Sequence, residues 1–118
     1  MPIANMFEGE WVEVEAPRGG KGVVRNRKLL GEEDLQTPVM GVSYGIVPPS
    51  AAIGLHEHPT EQDFYVILEG QGRAVVDGEE RQVGPGDVFV NSLGGNHALE
   101  NTGDTDLVML AWCVRATQ

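Results

Sequence analysis

The 118-residue chain has a single cysteine, Cys113, so an internal disulfide is excluded. Aromatic residues are only 6% of the chain against 41% hydrophobic residues overall, which makes any core mainly aliphatic. Basic residues are scarce: eight Lys and Arg face eighteen Asp and Glu, for a formal net charge of −10. Binding to phosphate backbones needs the opposite balance, so nucleic acid is excluded as a partner and an anionic membrane surface is disfavoured. No apolar run approaches the ~20 residues of a membrane span. The start, MPIANMFEGEW, lacks both the basic beginning and the apolar stretch of a secretory signal. The expectation is a soluble, cytoplasmic, single-domain protein (1–118) with a small-molecule ligand.

Helix patterning is also missing. Gly or Pro interrupts every apolar stripe at 3.6 spacing before it exceeds two turns, and only GEEDLQ (31–36) reads as a short helical turn. Strand patterns fill the rest: WVEVEA (11–16), KGVVRNRKLL (21–30), VMGVSYGIV (39–47), AAIGLHEH (51–58), DFYVILE (63–69), GRAVVD (72–77), EERQV (79–83), DVFVNS (87–92), HALEN (97–101) and DLVMLAWCV (106–114). GQG, DGEE, GPGD, LGG and NTGD separate them, and these are turn sequences because Gly and Asn accept positive φ while Pro presets it. Short strands at such regular spacing predict a β-sandwich or barrel. The basic residues from Lys21 to Lys28 read as a solvated strand or loop face.

Histidine is scarce too, and its placement is informative. Two of the three stand in GLHEHPTEQDFYVILEG (54–70). Residues i and i+2 of a strand share a side, so His56 and His58 project together and Glu57 points away. After the turn at Pro59-Thr60, Asp63, Tyr65 and Ile67 fall on one face of the next strand. Neutral imidazole with carboxylate is a natural ligand set for Zn, Fe, Mn, Ni or Cu. The third histidine, His97, follows 39 residues after His58, again in a strand-and-turn context.

These segments resemble the two motifs of the cupins. The first, G(x)5HxH(x)3,4E(x)6G, is matched from His56 to Gly70 with His56 and His58 as the pair. The second, G(x)5PxG(x)2H(x)3N, is matched from Gly86 to Asn101 with Gly94, His97 and Asn101 in register. The resemblance covers about residues 38–114. It implies an all-β double-stranded β-helix, or jelly-roll barrel, with a divalent transition metal in its mouth and a homodimer as the assembly. Three positions depart from the pattern. Ser50 and Ser92 replace a Gly and a Pro, and Asp63 stands where the family has Glu. The shorter side chain withdraws the carboxylate by ~1.5 Å. The implied ligands are therefore His56, His58, His97 and Asp63, with Gln62 the alternative to Asp63 if the strand bulges there.

An open position on such a metal suits catalysis. The expected activity is that of an isomerase or lyase on a small sugar or hydroxy or keto acid, with Tyr65 as the acid, base or orienting group. A non-haem dioxygenase and a non-catalytic ligand-binding or sensing domain are the alternatives. Met40 and Tyr44 are expected to line the cavity, Arg73 to offer a second positive charge, and Cys113 to be a small buried hydrophobe.

Overall fold

The computed structural model of the chain describes residues 2–116. Ten strands form: β1 (Val12–Glu15), β2 (Val23–Gly31), β3 (Val39–Val47), β4 (Ala52–Glu57), β5 (Glu61–Glu69), β6 (Gly72–Val76), β7 (Glu79–Val83), β8 (Val88–Val90), β9 (Asn96–Asn101) and β10 (Leu107–Arg115). Every expected strand is present, with ends moved by a residue or two. The helical turn expected near 31–36 is a single 3-10 turn, Glu32–Asp34, and a second one spans Pro17–Gly19. Among the described residues no helix is long and apolar enough to cross a membrane.

The strands form two antiparallel sheets, ordered β1-β2-β3-β10-β5-β8 and β4-β9-β6-β7. This is the expected jelly-roll arrangement. β3 runs until Pro48-Pro49, which has no N–H for a ladder. The inner faces supply an aliphatic core of Val24, Val47, Ile67, Ala74, Leu99, Leu107 and Met109, with Tyr65 the one aromatic buried among them. Ile67, Leu107 and Val47 are wholly buried, each worth about 1.5–3 kcal/mol over an exposed side chain. The motif residue Asn101 ties the far end together. Its Nδ2 donates to the carbonyls of Val47 and Thr105, both at 2.8 Å, and its Oδ1 accepts from the Gly103 N–H at 2.8 Å.

Two expectations fail on the outer face of the larger sheet. Tyr44 does not line the cavity: it pairs with Leu110 and points outward, where Phe7 and Trp11 cover it at ring distances of 6.0 and 5.9 Å. Nor is the basic stretch of β2 uniformly solvated. Arg27 pairs with Tyr44 across the sheet, is buried, donates to the Met6 carbonyl at 2.7 Å and lies 3.9 Å from the Trp11 ring centre. Arg25 lies 4.4 Å from the same ring. Weakly hydrated, planar guanidinium accepts such stacking, which charge counting alone does not foresee. Trp112 stacks on Phe64 at 5.2 Å, as the alternation along β10 requires.

The turn at Pro17–Gly19 lies against β4 so closely that side chains are excluded. A Cβ on Gly20 would overlap the Ala52 carbonyl, and one on Gly54 would overlap the Arg18 carbonyl. Backbone bonds between Lys21 and Ala52, at 3.0 and 2.9 Å, close the junction. Gly54→Ala is expected to destabilise the fold by about 2 kcal/mol through backbone overlap. Gly78→Ala, with φ of +84° and open space around it, should lose only about 1 kcal/mol to strain. Urea midpoints of the two variants test the ordering, and equal midpoints would show that the turn lifts freely off β4.

Candidate metal centre

Strand register assembles the site. β4 pairs with β9 so that His56 stands directly across from His97. His58, just past the end of β4, is pinned by two backbone bonds: its N–H donates to the Gly95 carbonyl at 3.1 Å, and its carbonyl accepts from Gly94 N–H at 3.0 Å. Asp63 and Tyr65 reach inward from β5, on one face as alternation predicts. The side-chain ligand atoms of His56, His58, Asp63 and His97 all lie within 4.8 Å of one another. His97 Nε2 is 2.9 Å from His56 Nε2 and 3.0 Å from His58 Nε2. Asp63 Oδ2 is 2.9 Å from His58 Nε2 and 3.5 Å from His97 Nε2.

The shorter carboxylate of Asp63 does reach the cluster, and Asn91 shows how. This wholly buried side chain accepts the Asp63 N–H at 2.7 Å through Oδ1 and donates through Nδ2 to the carbonyls of Glu61 and Ser92. It fixes the start of β5, which begins at Glu61 and not at Asp63. Gln62 faces away, and its amide donates to the Asn91 carbonyl at 3.1 Å. Glu61 takes an orienting part, with Oε1 at 3.1 Å from His58 Nδ1.

The donor set fits a metal cation. His56 Nδ1 lies 2.7 Å from the Gly54 carbonyl, which can only accept, so that nitrogen carries the hydrogen and Nε2 keeps its lone pair. The Glu61 carboxylate imposes the same tautomer on His58. The two rings thus turn Nε2 inward, and with Asp63 Oδ2 and His97 Nε2 four ligand atoms meet at one point. A cation resolves that crowding. Ligand atoms on adjacent positions of an octahedral ion with bonds of about 2.1 Å stand about 3 Å apart, which is the spacing seen here. Held carbonyl and carboxylate partners on the outer ring nitrogens are the usual support of metal-bound histidine.

Electrostatics favour the ligand-competent forms. Burial lowers the pKa of His56, with the hydrogen bond to Gly54 opposing and the other imidazoles and Arg18 assisting. Burial alone would raise the Asp63 carboxyl, yet hydrogen bonds from His97 and Cys113 and the nearby imidazoles outweigh it, and its pKa falls below the ordinary value. Tyr65 is pushed far up, first by burial and then by the Asp63 charge. Its ring packs on Phe89 at 5.0 Å and on His97 at 5.1 Å, and it borders the cavity above the cluster.

That cavity, about 660 Å³, is walled by Val24, Ile53, Met109 and Ala111, with Met40 and Cys113 at its side. Cys113 is only half-buried. Its thiol lies 3.6 Å from Met40 Sδ, near Asp63 and Glu61, so it is a cavity group and not a core filler. Arg73 lies outside, on the outward face of β6, ion-paired with Glu100 and Glu80. Sequence reading missed Asn91 and Asp77. Asp77 accepts the Ser92 N–H at 3.0 Å and fills the space where a Cβ on Gly95 would go, so it shapes the loop leading to His97.

The cupin domain family model matches residues 43–113, which include all four clustered residues. The chain is 38% identical over 94 residues to the oxalate-binding protein of Thermotoga maritima, covering 80% of this chain and 78% of that one. The crystal structure of a predicted oxalate decarboxylase from Thermotoga maritima superimposes with a TM-score of 0.92 at 33% identity, over 96% of this chain and 98% of that one. KdgF from Halomonas sp. shares the fold with a TM-score of 0.77 at 17% identity, over 98% and 94% of the chains. With both motifs in register and the family match spanning more than half its length, this chain belongs to the cupin family.

Proposed function

We propose that the chain holds a divalent transition metal, one of Zn, Fe, Mn, Ni or Cu, on His56, His58, His97 and Asp63. We propose further that it binds a small acid of the oxalate class there and acts on it as a lyase. The observation that carries this reading is the convergence of three Nε2 atoms and Asp63 Oδ2 at the floor of a largely apolar cavity. The relatives named for oxalate support the ligand class.

A bound divalent ion would supply Lewis acidity to a ligand oxygen. The chain's own residues do the remaining work. The Gly54 carbonyl and Glu61 hold the His56 and His58 rings in the tautomer that offers Nε2 inward. Val24, Ile53, Met109 and Ala111 thin the water around the ligand and strengthen every charge interaction there. Tyr65 keeps its phenolic proton, so toward an anionic ligand it donates a hydrogen bond and holds a proton for the product carbon.

One observation favours a second reading, binding without turnover. Tyr65 and Cys113, the protic groups nearest the cluster, are both pushed well above their ordinary ranges, Cys113 by burial and then by Asp63. Proton transfer is easiest for groups near the working pH.

Elemental mass spectrometry after reconstitution with each metal should give close to one equivalent in the wild type. It should give almost none in a His56→Ala/His97→Ala double variant. Calorimetry should detect oxalate binding to the loaded protein only. Carbon dioxide release from bound oxalate then separates lyase from binder, and oxygen uptake would point to the dioxygenase. Wild-type protein below about a tenth of an equivalent at neutral pH, where ligand imidazoles are deprotonated, would sink the reading.

Acid should act in a defined direction. His56 and Asp63 have folded pKa values below their unfolded ones, so the unfolded chain takes up protons first as pH falls. Stability of the chelator-treated protein is therefore full above the ordinary imidazole value of about 6.5. It declines as pH drops through the lower folded value of His56, with Asp63 adding a further decline below about 3.9. Urea midpoints between pH 8 and 3 would show the trend, and metal retention should fall in the same direction. A midpoint that climbs on acidification contradicts the assignment.

A further inference from the structure

Arg18 stands on the cavity wall with His56, Asp63 and Tyr65. Resting on the reading of the site given above, we infer that Arg18 is the carboxylate anchor of this cavity, receiving the ligand oxygens that face away from the metal.

Of the other cations nearby, Lys21 is also without an ion pair among the described residues but lines a different groove, with Arg73 and Glu100, and the rest are committed elsewhere. Lys28, also on the wall, pairs with Glu33 at 3.3 Å. Arg25 and Arg27 stack on Trp11, and Arg73 pairs with Glu100 and Glu80. Among the described residues Arg18 has no carboxylate within ion-pair distance, although the chain carries eighteen Asp and Glu. An exposed guanidinium without an acidic partner, on a residue that lines the same cavity as His56 and Asp63, is available to an anion brought from outside. Its charge is already felt within the site, where it lowers the pKa of His56 and works against the rise at Tyr65.

The backbone points the same way. Arg18 has φ of 56° and Ala16 has φ of 46°, both left-handed and both non-glycine. Such backbone is strained, and the strain persists only where the surroundings enforce it. Here they do: Gly20 and Gly54 pack against opposing carbonyls, Gly20 N–H bonds to the Pro17 carbonyl at 2.9 Å, and Lys21 is laced to Ala52. The turn is fixed to β4, two residues before His56, so guanidinium and imidazole are positioned by one strand.

The chemistry narrows the ligand. A dicarboxylate that turns one oxygen of each carboxyl toward a metal leaves two oxygens on its far side. The planar guanidinium fork matches such a pair with two parallel hydrogen bonds. A neutral sugar presents no such edge. Arg18 therefore favours oxalate and short keto acids over neutral hydroxy-carbonyl compounds.

The test compares wild type, Arg18→Gly and Arg18→Lys, each loaded with the metal that the wild type retains. Metal content, urea midpoint and oxalate affinity by calorimetry are measured on all three. Glycine accepts the left-handed backbone, so Arg18→Gly should hold its metal and its midpoint. It should bind oxalate about 10- to 100-fold more weakly, the loss expected for hydrogen bonds between charged groups. Arg18→Lys should recover part of the affinity, because it keeps the charge and loses the fork. Unchanged affinity in Arg18→Gly overturns the assignment. Loss of metal together with oxalate also overturns it, since Arg18 would then be shaping the metal site. If loaded wild type binds no oxalate, the reading of the whole site falls and the anchor with it, an outcome distinct from binding that ignores Arg18.

Discussion

The pairing of β4 with β9 is the constraint on which the site depends. It sets His56 opposite His97 near the open end of the barrel. Side chains alternate across a strand, so a slip of β4 by one residue would turn His56 outward and bring Leu55 inward. Hydrophobic demand resists that slip, because Leu99 and Ile53 sit on the same inner face and belong to the core. An irregularity between Ile53 and His56 shifts the pairing by one residue, from Ile53 opposite Leu99 to His56 opposite His97, and so brings core and imidazoles onto one inner face. The two backbone bonds from His58 to Gly94 and Gly95 extend the register past the strand end, where alternation alone would no longer hold the second imidazole.

The site also concentrates an electrostatic problem that the fold tolerates only in part. Three imidazoles and a carboxylate meet in an interior otherwise lined with aliphatic groups. Burying lone pairs without donors is unfavourable by a few kcal/mol per group. The outer ring nitrogens of His56 and His58 are satisfied, and the crowding is confined to the inward Nε2 atoms. Such a convergence of acceptors is one that a cation would satisfy.

Much of this was legible in the sequence, and what was hidden shares a cause. All ten strands followed from apolar runs and turn residues, since period-two patterning and the φ preferences of Gly and Pro are local properties. The inward sharing of His56 and His58, and of Asp63 and Tyr65, followed from alternation. Asn91 was not legible, because its role depends on which residue of β5 it meets across the sheet. Tyr44 sits on the outer face because the eight pairs of the β3–β10 ladder set its phase, a register the isolated strand does not reveal. Arg73 was misplaced, and Arg18 passed over, for the same reason. Arg73 lies on the outward face of β6, and Arg18 on a short turn whose seat on β4 depends on Gly54, remote in sequence, as well as on Gly20.

Gly54 joins two roles at one residue. Its carbonyl receives the His56 ring hydrogen, and its bare α-carbon admits the turn that carries Arg18. This bears on how such a barrel can diversify. Side chains on the turn and on the β1–β2 ribbon can drift and alter the cavity rim one mutation at a time. Position 54 has no comparable freedom, because any side chain there disturbs the imidazole support and the rim together. Inherited variation should therefore accumulate on the ribbon around an immobile glycine, and descendants of this chain would change the cavity rim sooner than the imidazole support.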